Sequence, residues 1–359
     1  MEESFSSIPK SASSAARKCL CGDILRLPVV DISGLYEEDA CARKDVAACL
    51  VSAVREYGFF YLLGHRVPSE LIDNLITQAK SFFQQPIEKK MRWYIGNSKH
   101  HRGYVPEGEE VFYGSTFDRK EAFDLGLDLP DDDIEVEHGT PMLGPNVWPD
   151  GPDFKDVVAK YYNAVFTLGR TLFRAFALAL QLEESYFDHL IRKPPSQLRL
   201  IHYPHDPNAA DAQGIGAHTD YECFTVLLAT GPGLEVVNRA GEWVDAAPRA
   251  GAFLISLGDM MEIWTNGAFP ATSHRVRRVE QERYSFPFFC SCDYHTVVEP
   301  LPGFVGPDRP ARYPPVLAGA HLFAQTAQTF TYLRKRLEST QSTQRRNAVS
   351  VRPQVSGQP

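Results

Sequence analysis

The run Gly216-Ala217-His218-Thr219-Asp220-Tyr221-Glu222-Cys223-Phe224-Thr225-Val226-Leu227-Leu228-Ala229 sets a histidine and a carboxylate two residues apart at the head of an apolar strand. Side chains of an extended chain alternate between faces, so His218 and Asp220 project to one side and can share an ion. A second histidine, His274, lies far downstream in Ser273-His274-Arg275-Val276 and can close the set. Two imidazoles and one carboxylate on one face of an octahedral ion leave positions open for oxygen and a cosubstrate, as in non-haem Fe(II) oxygenases. A His-x-Asp spacing alone also arises at the polar edge of an ordinary strand. Here the Gly-rich approach, the apolar strand behind, and His274 close after Trp264-Thr265-Asn266-Gly267 favour metal ligation.

Around this stretch the chain is strand after strand from Gln197 to about Pro300. Leu198–Tyr203, Thr225–Ala229, Leu234–Asn238, Phe253–Ser256 and Tyr284–Cys290 are short apolar or alternating runs punctuated by Gly and Pro. That spacing predicts an antiparallel barrel or jelly roll. Arg283 and Ser285 share a face by the same period of two. A guanidinium fork beside a hydroxyl makes a carboxylate clamp, fit for the distal carboxylate of 2-oxoglutarate; a plain interstrand salt bridge is the competing account. Tyr203 can donate its hydroxyl to the same acid or serve as a core tyrosine.

Farther out, Leu27–Asp31 reads as an opening strand, Asp45–Tyr57 as a helix, Gly58–Leu63 as a buried strand and Pro68–Phe83 as a second helix. This predicts an α/β portion over 27–152, closed by an irregular, Gly-, Pro- and acid-rich segment from Trp93 to Pro152 of the kind that borders active sites. A long amphipathic helix over Phe154–Leu182, a shorter one over Glu184–Ile191 and a C-terminal helix over Ala318–Leu337 flank the strands of a catalytic portion, 153–337. The Ser- and Ala-rich arm 1–26 and the Ser-, Gln- and Arg-rich tail 338–359 read as disordered. The fold class is therefore mainly β with flanking helices.

The 359 residues carry a net charge of -8, which argues against nucleic acid as a partner. Seven cysteines, odd in number and without CxxC pairing, suit reduced thiols in a cytoplasmic protein. No apolar run reaches the length of a membrane span, and nothing signals an obligate protein partner. Glu107–Glu110 and Asp131–Asp133 read as solvated loops, His100 and His101 as neighbours in a polar loop, and Cys290 and Cys292 as small buried hydrophobes. Walker, GxGxxG, GxSxG and HExxH motifs are missing, which removes the usual signatures of nucleotide cofactors and of serine or zinc hydrolysis.

With these residues in view, the chain resembles the isopenicillin N synthase-like group of Fe(II)/2-oxoglutarate oxygenases over nearly all of Leu27 to Leu337. The likeness is carried by Leu27-Pro28-Val29-Val30-Asp31, Gly58-Phe59-Phe60-Tyr61, Leu198-Arg199-Leu200-Ile201-His202-Tyr203-Pro204, His218-Thr219-Asp220-Tyr221, Gly233-Leu234-Glu235-Val236, Gly258-Asp259, His274-Arg275-Val276 and Arg283-Tyr284-Ser285. The resemblance implies a double-stranded β-helix core, iron on His218, Asp220 and His274, the 5-carboxylate of 2-oxoglutarate on Arg283 and Ser285, and Tyr203 as a helper. It also implies oxidation, most simply hydroxylation, of a small molecule of secondary metabolism, with O2 consumed and succinate and CO2 released. Substrate contacts are expected from Phe289, Ile201, Phe224, Tyr104, Phe123 and Glu222, the last able to meet a cationic or amine-bearing substrate. Residues 323–333 are expected to form a lid. Ile201 stands where many plant relatives carry Asn, and Glu222 where small residues are common. Three other readings stay open: an oxidase of the same fold that needs no 2-oxoglutarate, a non-catalytic ligand-binding protein, and a zinc hydrolase on the same ligand set.

Overall fold

A Gly at the end of the first helix and a 26-residue amphipathic helix set the scaffold. A computed structural model describes residues 27–111, 119–151, 153–205, 207, 213–238, 240–277 and 280–339. Its first half contains β1 (Val29–Asp31), α1 (Ala40–Tyr57), β2 (Phe59–Leu63), α2 (Ser69–Phe83), α3 (Ile87–Lys90), β3 (Gly103–Val105), β4 (Glu121–Gly126), α4 (Ile134–Glu137) and α5 (Phe154–Ala179). The second half contains β5 (Gln197–Tyr203), β6 (Gln213–His218), β7 (Phe224–Ala229), β8 (Leu234–Val237), β9 (Trp243–Asp245), β10 (Phe253–Leu257), α6 (Asp259–Trp264), β11 (His274–Arg277), β12 (Arg283–Cys290), β13 (Val297–Val298), β14 (Val316–Leu317) and α7 (Ala318–Thr329). The arm 1–26 and the tail from residue 340 lie outside the described residues.

Gly58 ends α1 in the left-handed region (φ 68°), where a side chain is disfavoured and a Cβ would collide with Thr272. The chain turns there straight into β2. An eight-stranded sheet in the order β1-β2-β10-β7-β12-β5-β4-β3 faces a four-stranded sheet in the order β6-β11-β8-β9, the jelly-roll layout expected. The pairing is antiparallel except between β1 and β2. The first portion of the chain supplies β1 to β4, so both portions share the large sheet.

The large sheet buries two different faces. Outward, Phe224, Phe286, Phe288 and Cys290 meet α5, whose Tyr162, Phe173 and Phe176 recur at helical spacing; Phe173 and Phe176 pack on Phe224, and Tyr162 on Phe288. Inward lies the space between the sheets. Pro287 has no N–H for a ladder, and the β12–β5 register skips Phe286 and Pro287 while β12–β7 runs unbroken.

Three expectations change. The helix over Glu184–Ile191 is a turn holding only a 3-10 segment, Asp188–Leu190. The C-terminal helix breaks at Phe330, which forms a β-bridge with Glu110, and resumes over 331–339. The irregular segment contains β3 and β4, because β5 offers an unpaired edge that recruits them; pairing between distant segments outweighs weak local propensity there. Among the described residues no helix is long and apolar enough to cross a membrane.

Candidate active site

Strand alternation sends Gln197, Arg199, Ile201 and Tyr203 of β5 inward, with Arg283, Ser285, Pro287 and Phe289 of β12 and Thr225, Leu227 and Ala229 of β7. These residues line one cavity. Its volume of about 120 Å³ admits on the order of ten water-sized groups at ~10–15 Å³ each. That is the scale of small molecules.

His218 ends β6 and His274 opens β11, directly opposite in the register, with ring centroids 4.3 Å apart. Asp220 follows in the turn before β7. One donor atom from each of the three residues can be chosen so that all lie within 4.8 Å of one another, and His274 Nε2 is 3.5 Å from Asp220 Oδ1. The backing fixes their orientation. His218 Nδ1 lies 2.8 Å from the Gly216 carbonyl and His274 Nδ1 3.3 Å from that of Thr272, so each Nδ1 carries the proton and each Nε2 the lone pair. Thr225 (2.5 Å) and Ser256 (2.8 Å) donate hydroxyls to Asp220 Oδ2, which leaves Oδ1 for an ion. Burial, and then the neighbouring His274, push the His218 imidazole down to about 4, so it is neutral and competent as a ligand at neutral pH. This donor set fits ferrous iron with open positions.

Arg283 extends beneath the cavity at the other end of the strands. It donates to the carbonyls of Pro232 (2.5 Å) and Arg277 (3.0 Å), and Gly233 leaves it room, since a Cβ there would approach Nη1 to 2.8 Å. Its Nε–H is buried without a partner, and among the described residues no carboxylate pairs with it. A buried cation in that state fits an anionic ligand. Ser285 lines the same cavity, next to Arg283 on the inward face. Tyr203, opposite Arg283 in the register, presents its ring to the guanidinium at 4.2 Å.

The remaining part of the wall is charged. Arg199 grips Asp124 with two hydrogen bonds (2.7 and 2.8 Å) and Glu110 through Nη1 (2.9 Å), and Lys120 joins Glu110 at 2.8 Å. Burial alone would raise the Glu110 carboxyl, but Arg199 and Lys120 outweigh it and hold the group at about 2. Glu110, expected in a solvated loop, is therefore buried. His101, expected to be an ordinary loop histidine, is buried against Phe330 and hydrogen-bonded to the Tyr332 hydroxyl at 2.5 Å. Glu222 also lines the cavity; burial, then the Asp220 carboxylate, push its acid up to about 8.

Of the expected substrate contacts, Ile201, Phe289 and Glu222 line the cavity, whereas Phe224, Tyr104 and Phe123 do not. The correction follows from parity. Phe224 has the opposite parity to Thr225 and faces α5. Phe123 pairs with Leu200 and with Tyr104, so both aromatics lie on the helix side against Phe82, and the Tyr104 hydroxyl bonds to Glu121. Sequence reasoning passed over Arg199 and Gln197, although counting by two from Tyr203 reaches both. Glu110, Lys120 and His101 come from irregular chain and gave no periodic signal. Thr326, Thr329 and Phe330, from α7 and the residue after it, also line this cavity. Cys290 and Cys292 are buried, with Cys292 Sγ 3.8 Å from Met260 Sδ, as small hydrophobes would be.

The chain resembles known proteins along most of its length. Residues 27–151 match the family described as non-haem dioxygenase in morphine synthesis N-terminal, and residues 194–291 match the 2OG-Fe(II) oxygenase superfamily. The chain is 35% identical over 304 residues to the 2-oxoglutarate-Fe(II) type oxidoreductase hxnY of Emericella nidulans, covering 80% of this chain and 86% of that protein. It is 32% identical to a homoarginine-6-hydroxylase of Oryza sativa subsp. japonica, covering 86% and 98%. Among solved structures, a 2OG-Fe(II) oxygenase family protein of Caulobacter crescentus superposes with a TM-score of 0.74 at 34% identity, covering 84% of this chain and 98% of that one. A Neurospora crassa protein solved in complex with alpha-KG and 5-formyluracil gives 0.73 at 25% identity, covering 86% and 97%.

Proposed function

The chain belongs to the 2OG-Fe(II) oxygenase superfamily, an enzyme family using iron, 2-oxoglutarate and oxygen, and from that premise we propose that it hydroxylates a small molecule through the cavity just described. In this reading His218, Asp220 and His274 hold the iron, Arg283 and Ser285 take the distal carboxylate of 2-oxoglutarate, and Ile201, Phe289 and Glu222 border the substrate. When bound, the iron would activate O2, the oxidant, with 2-oxoglutarate supplying two of its four electrons as it is converted to succinate and CO2. The protein's own residues do the rest. The Gly216 and Thr272 carbonyls keep both imidazoles in the ligating tautomer, Thr225 and Ser256 hold Asp220 in one rotamer, and Tyr203 supports the Arg283 guanidinium from below. Phe330, against His101 and Arg199, closes part of the cavity wall with an apolar ring.

The observation that carries the reading is a buried Arg283 without a carboxylate partner in the same cavity as a two-histidine, one-carboxylate cluster. Residues 27–152 act as scaffold and cavity rim, and 153–337 as the catalytic portion. A small molecule is the partner this cavity suits; nucleic acid, a membrane and an obligate protein partner have no part in the reading, and the net charge of -8 opposes the first. Free thiols at Cys41, Cys223, Cys290 and Cys292 support placement in the cytoplasm.

The test is succinate release by anaerobically iron-loaded protein exposed to oxygen, with a library of small molecules, for wild type, His218→Ala and Arg283→Ala. Compound-stimulated succinate in wild type, lost in both variants, is the expected result. Oxygen consumption by wild type without succinate would replace the reading with an oxidase that needs no 2-oxoglutarate.

A further inference from the structure

Gln197 opens β5 on the inward face and lines the cavity, yet it is only 6% exposed, and its Nε2 is buried without a hydrogen-bond partner. The strand register places it at the metal end. Gln197 lies across from Phe289, Phe289 across from Thr225, and Thr225 across from Ser256, the last two being the hydroxyls that hold Asp220. Two strand spacings, ~10 Å, therefore separate Gln197 from the support of the metal cluster. Tyr203, opposite Arg283, stands six residues away at the other end of β5, about 20 Å at the rise of a strand.

The charges of this wall are already matched. Arg199 uses all three guanidinium nitrogens on Asp124 and Glu110, and Lys120 pairs with Glu110, so two cations face two carboxylates. The Glu222 carboxyl, from which a contact to a cationic substrate was expected, is met by the backbone N–H groups of Tyr221 and of Glu222 itself. A charged group brought to this end would be buried without a counter-charge, which costs far more than burying a neutral one. What is missing is an acceptor for an amide N–H. A buried donor left unmet is destabilising, and this one stands in a cavity, so an acceptor on a ligand completes it. Phe289, Ile201 and Leu227 on the same inward face surround the rest of such a ligand with apolar groups.

We infer that Gln197 is a specificity-determining residue for the substrate, and that the substrate is an uncharged small molecule held at this end by a carbonyl oxygen, as in an amide, lactam or ketone. The Gln197 Nε2–H donates to that oxygen, the apolar remainder lies over Phe289, and the C–H to be oxidised is turned to the cluster of His218, Asp220 and His274. The inference rests on the oxygenase reading for calling this end of the cavity the substrate site.

The test is equilibrium binding of three probes of one chain length, pentanamide, pentanoate and pentylammonium, to full-length protein loaded with manganese(II) and with 2-oxoglutarate, which keeps Arg283 occupied. Pentanamide should bind wild type about tenfold more tightly than either ion, because it meets the donor and brings no uncompensated charge. Its affinity falls about three- to tenfold in Gln197→Met, which keeps the length and removes the donor, while the affinity for 2-oxoglutarate stays within about twofold. Gln197→Glu turns the preference toward pentylammonium. Either ion binding wild type as tightly as pentanamide, a pentanamide affinity unchanged in Gln197→Met, or no binding of any probe at millimolar concentration would each overturn the inference. If the variants do not fold, the wild-type ratios of amide to ion decide alone. Failure of the oxygenase reading looks different, because 2-oxoglutarate then neither binds nor yields succinate, whatever the probes do.

Discussion

The guanidinium carbon of Arg283 lies 4.2 Å from the centre of the Tyr203 ring, its opposite neighbour across β12 and β5, and this contact makes the tyrosine a platform for the cation. A hydroxyl contact to a bound acid was the sequence-based expectation; the structure adds a role for the ring. Tyr203→Phe therefore keeps the platform, and the KM for 2-oxoglutarate should change less than about threefold, whereas Tyr203→Ala should raise it about tenfold, in line with ~0.5–2 kcal/mol for a cation over an aromatic face. Titration of 2-oxoglutarate against succinate release separates the two.

Arg283→Ala should raise that KM by roughly one to two orders of magnitude, because a charge-assisted contact contributes about 1.5–3 kcal/mol. Arg283→Lys should recover only part of this. A lysine ammonium cannot reproduce a fork held at once by the Pro232 and Arg277 carbonyls and the Tyr203 ring. A Lys variant indistinguishable from wild type would argue for a simple point charge at this position.

Thr225→Val should loosen the metal without touching a ligand. Its hydroxyl holds Asp220 Oδ2 at 2.5 Å, and loss of such backing costs about 10–100-fold in metal affinity. Competition against a chelator reads the change directly, and the effect should be smaller than the near-complete loss of iron expected for His218→Ala or Asp220→Ala.

Phe224→Ala tests the parity correction. Phe224 is fully buried between Phe173 and Phe176, so its truncation should cost about 3–5 kcal/mol of stability and leave the substrate KM near its wild-type value. Phe289→Ala, on the inward face, should raise that KM instead. Urea unfolding and substrate titration on the two variants give opposite patterns if the assignment of faces holds.

Glu110 predicts the acid response. Its carboxyl sits at about 2 in the fold against an ordinary 4.5, so the fold binds fewer protons than the unfolded chain in that interval. The stabilisation, on the order of 3 kcal/mol, is present in full above about pH 4.5 and lost as pH falls toward 2. Glu110→Gln should be destabilised at neutral pH, and its difference from wild type should shrink through that window in unfolding measurements. A difference that stays constant down to pH 3 would show that the ion pairs with Arg199 and Lys120 contribute little.

The jelly roll and the metal cluster were legible because both rest on a local period of two. His218 and Asp220 share a face whatever surrounds them, and so do Arg283 and Ser285, while short apolar runs broken by Gly and Pro pack most simply as antiparallel strands. That His274 stands opposite His218 is a matter of register between distant strands, which local pattern can suggest but not specify. Parity within a strand was readable too, and applied to β5 it reaches Arg199 and Gln197; what it cannot say is which of the two faces of a strand buried on both sides borders the cavity. Phe224, Phe123 and Tyr104 were misplaced for that reason, since α5 and α2 cover one face as fully as the opposing sheet covers the other. Glu110, Lys120 and His101 come from irregular chain, where no period exists to read. Tertiary packing alone decided that Glu110 lies buried beside Arg199, because a carboxylate leaves water only when its cations arrive from elsewhere in the fold.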